Sequence, residues 1–152
     1  MSTRAEQVEF FVEEQAGLPA LLRATCRVID ALWRPLPARA LVRVIDETAL
    51  SRLDDELWTF RDDAFIPHSP YAGEPNPASP VLLTARAPQD IDLTPDLFID
   101  TTAQTPAADC FARFSRVAVV LDADGSRREA GRDRFREWRS LGLTPQTHPV
   151  GR

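Results

Sequence analysis

The sequence predicts one α/β domain, a three-layer α/β/α and Rossmann-like arrangement with a mainly parallel sheet of about five strands. Three observations carry this. The chain has 152 residues, the length of a single domain that can bury a sizeable core. Short runs of β-forming residues alternate with amphipathic stretches of helical length, the pattern of right-handed βαβ units. One of the runs, Ala40 to Ile45, is nearly continuous in apolar residues, as a strand buried on both faces requires.

The elements follow in order. Val8 to Val12 (VEFFV) reads as the first strand, and Gly17 breaks the chain after it. Leu18, Leu21, Leu22, Ile29, Leu32 and Trp33 recur at helical spacing, so a helix is expected over 18–34, ended by Pro35 and Pro37. After the second strand, Asp46 or Thr48 can cap a helix whose Leu50, Leu53, Leu57 and Trp58 share one face. From Arg61 to Pro80 the chain reads as an irregular, proline-rich loop. Val81 to Thr84 and Leu97 to Asp100 are the third and fourth strands, and Arg116 to Leu121 the fifth. Ser126 opens a last helix that runs to about Leu141 and stops at Gly142. The domain therefore spans 1–143, and 144–152 reads as a mobile tail.

Composition narrows the function. Apolar residues make up 43% and charged residues 27%, values of an ordinary globular protein. A net charge of -5 disfavours a protein that grips nucleic acid over its whole surface. All 18 basic residues are arginines, forks suited to carboxylates and phosphates. Cys26 and Cys110 form no CxxC pair; Cys26 lies in an apolar helical pattern and reads as a buried free thiol. No run approaches the roughly 18 apolar residues of a membrane span, and the start is too charged for a signal peptide, so a cytoplasmic protein is expected.

Catalytic signatures are missing. The turn after the first strand holds one glycine and no GxGxxG, and without lysine no Walker motif can be completed. His68 and His148 are the only histidines, no GxSxG elbow occurs, and His and Cys do not cluster as zinc ligands do. Asp54-Asp55-Glu56 and Asp62-Asp63 read as solvated faces. Neither a catalytic residue nor a cofactor or metal is expected.

Two stretches suggest binding instead. Between Ser126 and Arg139, six arginines face three acidic residues, a net +3. Arg128, Arg132, Arg136 and Arg139 follow one helical stripe, with Phe135 and Trp138 beside it. Such a row suits an acidic peptide with a hydrophobic end. An ordinary amphipathic helix with internal ion pairs explains the spacing about as well, and single-stranded DNA is a third possibility. The second stretch, Leu57 to His68, is dense in aromatics: Trp58 and Phe65 are either interface anchors or the means of folding the loop onto the core.

Leu53, Asp54, Leu57 and Trp58, then Phe65, Pro67 and His68, then Ala72, Gly73 and Glu74, then Pro80 and Val81, form a series that resembles the chi subunit of bacterial DNA polymerase III holoenzyme. Phe114, Arg116 and Val117 and the helix REAGRDRFREWRSLGL look like chi as well, as do the first strand and the helix carrying Cys26 and Trp33. The resemblance spans nearly the whole chain. It implies a non-catalytic replisome adaptor that binds the acidic C-terminal tail of single-stranded DNA-binding protein and docks on the clamp loader through the psi subunit. Leu121, Arg128, Arg132, Phe135 and Arg136 match the family's tail-binding surface. Trp58 and Phe65 match the surface that meets psi, which a helicase-like partner can also engage. DNA would be reached mainly indirectly; a direct single-stranded DNA binder using the arginine-rich helix is the alternative. The chain departs from the family pattern with arginine for lysine at Arg128 and Arg136, phenylalanine for tyrosine at Phe135, and a proline-rich Glu74-Pro75-Asn76-Pro77.

Overall fold

The computed structural model describes residues 7–33, 39–60, 65–74, 78–87, 90–91, 95–104 and 114–150. Pro35, Pro37, Asp62, Asp63, Pro75 to Pro77 and Cys110 therefore lie outside the described residues. The elements run β1 (Gln7–Val12), α1 (Leu18–Trp33), β2 (Ala40–Arg43), α2 (Glu47–Thr59), β3 (His68–Pro70), β4 (Val81–Thr84), β5 (Leu97–Asp100), β6 (Arg116–Leu121), α3 (Gly125–Ser140) and β7 (Gln146–Pro149). The strands form one sheet in the order β3-β4-β2-β5-β6-β1-β7, and every described pair is parallel.

Strand alternation divides the core in two. Val42, Leu83, Ile99, Ala118 and Val120 face α1 and α2, where they meet Leu22, Cys26, Ile29, Leu53 and Leu57. Val8, Phe10, Leu41, Phe98, Val117, Val119 and Leu121 face the other way, toward Trp138 of α3. The result is the expected three layers, with central strands apolar on both faces because both faces are covered. Burial pushes the Cys26 thiol up, aided by Glu56, so it stays protonated in the core.

Helix ends follow local chemistry. The Asp46 carboxylate accepts the Ala49 N–H at 2.8 Å and caps α2. At α3 the cap is Asp124, which accepts the Arg127 N–H at 3.0 Å, so the helix opens at Gly125 rather than Ser126. Gly142, at φ +89°, ends it in the left-handed region, with Leu143 N–H donating back to Trp138 O at 3.1 Å.

Four expectations need correction. The sheet has seven strands rather than about five. One extra strand is β3, inside the stretch read as an irregular loop. The other is β7, within the stretch read as a mobile tail, where Thr147 and His148 pair with Phe10 and Phe11 of β1. Both are edges of three or four residues containing proline, which edges tolerate and central strands do not. Trp58 also leaves the face it was grouped with: Leu50, Leu53 and Leu57 are buried, whereas Trp58 is 54% exposed.

Candidate functional site

β1 and β6 are parallel neighbours whose following helices, α1 and α3, pack on opposite faces of the sheet. Parallel α/β folds bind ligands at this kind of switch point. Here the crevice is filled by side chains. The fully buried Asp122 takes two hydrogen bonds from Arg127, Nε to Oδ1 at 2.8 Å and Nη2 to Oδ2 at 2.7 Å, and one from Gly17 N–H at 2.7 Å. Burial would raise this carboxyl, but the Arg127 bonds and charge and the Gly17 N–H outweigh it and hold the group below the usual carboxylate range. Arg127 is raised in turn, chiefly by its bond to Asp122.

Beside this lock lies a groove of about 360 Å³. Its floor is Phe10 and Val12 of β1 and Leu121 of β6; α3 forms one wall and Thr147 of β7 the other. From α3 the groove receives Arg128, Arg132, Phe135 and Arg136, so all five residues matched by resemblance to a tail site line one depression. Gly131 makes the depression possible. A Cβ there would stand 2.5 Å from Leu121 Cδ1, so glycine lets the helix lie close over β6.

The arginines differ in freedom. Arg128 donates from Nε to Asp122 O at 2.6 Å and from Nη2 to Glu13 O at 2.8 Å, which fixes its guanidinium against two strand ends. Arg136 pairs with Asp133, and Arg134 pairs with Glu137. Arg132 is exposed and makes no hydrogen bond or ion pair with another described residue. The amphipathic-helix reading thus accounts for Arg134 and Arg136, and leaves Arg132 over. Arg139 does not line the groove. Trp138, read as part of the apolar margin, is fully buried against Phe10 with ring centroids 5.1 Å apart, and only Phe135 keeps a groove-facing role. Sequence reading missed Phe10, Val12 and Thr147, which reach the groove from distant strands. A glycine in mid-helix at 131, a costly residue there, was the one available signal.

Trp58 and Phe65 come together at the opposite sheet edge, 54% and 65% exposed, with ring centroids 6.0 Å apart. Trp58 also packs at a tilt of 48° against the buried His68 of β3, with ring centroids 4.6 Å apart. The ring nitrogens of His68 lie 2.7 Å from Ile66 O and 3.0 Å from Asp54 Oδ1, tying the middle of α2 to the β3 edge. So Asp54 is not merely part of a solvated face, and the two aromatics are presented outward rather than folded onto the core. Four strands lie between β3 and the groove floor at β1, which puts the two surfaces roughly 24 Å apart along the sheet at the usual spacing between strands. No described helix is long and apolar enough to cross a membrane, and no group of His, Cys, Asp and Glu suited to a metal occurs among the described residues.

The chain is also similar to known proteins. Residues 6–146 match the family described as DNA polymerase III chi subunit, HolC. The chain is similar to the DNA polymerase III subunit chi of Pseudomonas aeruginosa, at 35% identity over 146 residues that cover 96% of this chain and 98% of that protein. It is also similar to the Escherichia coli subunit chi, at 29% identity over 132 residues, or 86% of each. Among solved structures, the C-terminal domain of S. cerevisiae Dbp5 bound to Gle1 and IP6 gives a TM-score of 0.64 at 11% identity, covering 97% of this chain and 92% of that one. Dbp5 bound to Nup159, Gle1, IP6 and ADP gives 0.62 at 12% identity, covering 98% of this chain and 43% of that one. At such identities the likeness speaks of the α/β fold alone.

Proposed function

The chain belongs to the DNA polymerase III chi subunit family, and on that premise we propose that it is an adaptor: a receptor for the acidic C-terminal tail of single-stranded DNA-binding protein at one sheet edge, and a docking surface for psi at the other. Its place as a polymerase III subunit in DNA replication follows from the family. The tail and psi assignments are supported by the two surfaces.

The observation that carries the reading is the groove. The tail that the family resemblance implies, rich in aspartate and ending in Pro-Phe, needs cations for its carboxylates and an apolar cup for its last ring. Arg128, Arg132 and Arg136 supply the cations, and Phe10, Val12, Leu121 and Phe135 the cup. Each charge-assisted hydrogen bond would contribute about 1.5–3 kcal/mol. Opposite edges leave both surfaces accessible at once, as an adaptor requires.

Titration against the acidic peptide and, separately, against bare single-stranded oligonucleotide tests this. The adaptor binds the peptide without DNA. A direct DNA binder instead favours the oligonucleotide, with affinity falling steeply as salt rises.

At the other edge, Trp58→Ala removes an exposed anchor of the kind that typically costs more than about 2 kcal/mol at an interface. Pull-down of psi, or of a helicase-like partner at the same surface, is expected to fail while tail binding persists. Loss of both would show that Trp58 holds the fold instead.

A further inference from the structure

The groove's far wall is its weakest part. β7 is an edge strand of four residues, none of them fully buried, and it contains Pro149, which has no N–H to give to a ladder. Yet Thr147 must stay in place for the groove to close. Besides its ladder to β1 and the Val150 N–H bond to Val12 O at 3.1 Å, it is held by side chains on the opposite face of the sheet, because alternation points His148 away from Thr147. His148 packs on Phe11 at a tilt of 34° with ring centroids 5.2 Å apart, and its Nε2 lies 3.1 Å from Glu9 Oε2. Glu9, almost buried, accepts from Arg116 Nε through its other oxygen at 2.6 Å. A polar chain thus crosses β6, β1 and β7 in order: Arg116, Glu9, His148.

Resting on the tail reading above, we propose that His148, acting through Glu9, is a positioning residue that latches β7 and so holds the far wall of the peptide groove. Neither His148 nor Glu9 lines the groove. Their effect passes through the strand, where a slip by one residue would turn Thr147 out and His148 in. Arg116 fixes the Glu9 carboxylate, leaving one oxygen aimed at the ring. Phe11 supplies an apolar platform that sets the ring's tilt.

Calorimetry with a synthetic acidic peptide ending in Pro-Phe tests the latch. His148→Ala is expected to weaken binding about five- to tenfold, the loss of one hydrogen bond and its ring contact. His148→Gln, which keeps a donor near the Nε2 position, is expected to recover affinity to within about twofold of the parent. Glu9→Gln with His148→Ala should be no worse than the weaker single variant, since the two act as one unit. A merely structural role predicts no rescue by glutamine and additive losses. Parent-like binding by a folded His148→Ala variant would overturn the latch while leaving the tail reading intact. Failure of the parent protein to bind would overturn both.

Discussion

Arg132→Ala is expected to lower affinity for the acidic tail by about 10- to 100-fold, one or two charge-assisted hydrogen bonds' worth, with thermal unfolding unchanged. The stability half of this expectation follows from its surroundings. Arg132 is exposed within α3, is bonded to no other described residue, and would give way to the best helix former. The affinity half follows from its freedom. Arg128 is already committed to Asp122 O and Glu13 O, and Arg136 to Asp133, whereas Arg132 can give its whole fork to a carboxylate. Circular dichroism melts alongside peptide titration separate the two halves. Unchanged affinity in a folded variant would remove Arg132 from the site.

Asp122→Ala should have the largest effect on stability, about 3 kcal/mol at neutral pH, because it strands Arg127 and Gly17 N–H in a crevice built around the carboxylate. The loss would also loosen the junction of β1 with α1 and of β6 with α3, from which the groove's arginine wall starts. The pH dependence has a definite sign. A carboxyl held below its ordinary value in the folded protein contributes stability that is complete above the unfolded aspartate value, about 3.9, and is lost as pH falls below it. Parent and Asp122→Asn proteins should therefore differ most at neutral pH and converge in acid. Urea unfolding at pH 7 and near pH 3 checks this, and an equal gap at both would assign the stabilisation to packing.

Much of the fold was legible in the sequence because its central parts obey simple periods. β2 and β6 are apolar on both faces, and α1 repeats its leucines at helical spacing, so burial on both sides of the sheet is written into the chain. The edges are different. His68-Ser69-Pro70 and Gln146-Thr147-His148-Pro149 have no apolar period, since an edge strand is held by one neighbour and by particular side chains. Trp58 was misgrouped because it follows Leu57 directly, and one step around a helix turns a residue off the buried face. At the site, the arginine stripe was visible as a local pattern. The floor from Phe10 and Val12, the wall from Thr147 and the burial of Trp138 depend on which strands become neighbours. That is decided by topology, which no local spacing records.

The most direct test of the adaptor reading is calorimetric titration of the protein with the C-terminal peptide of its own single-stranded DNA-binding protein, at low and moderate salt. A peptide lacking the last phenylalanine serves as control. The reading predicts binding that needs the terminal ring, for the apolar cup, and weakens with salt, for the arginines. No binding to either peptide, or equal binding to both, would contradict it.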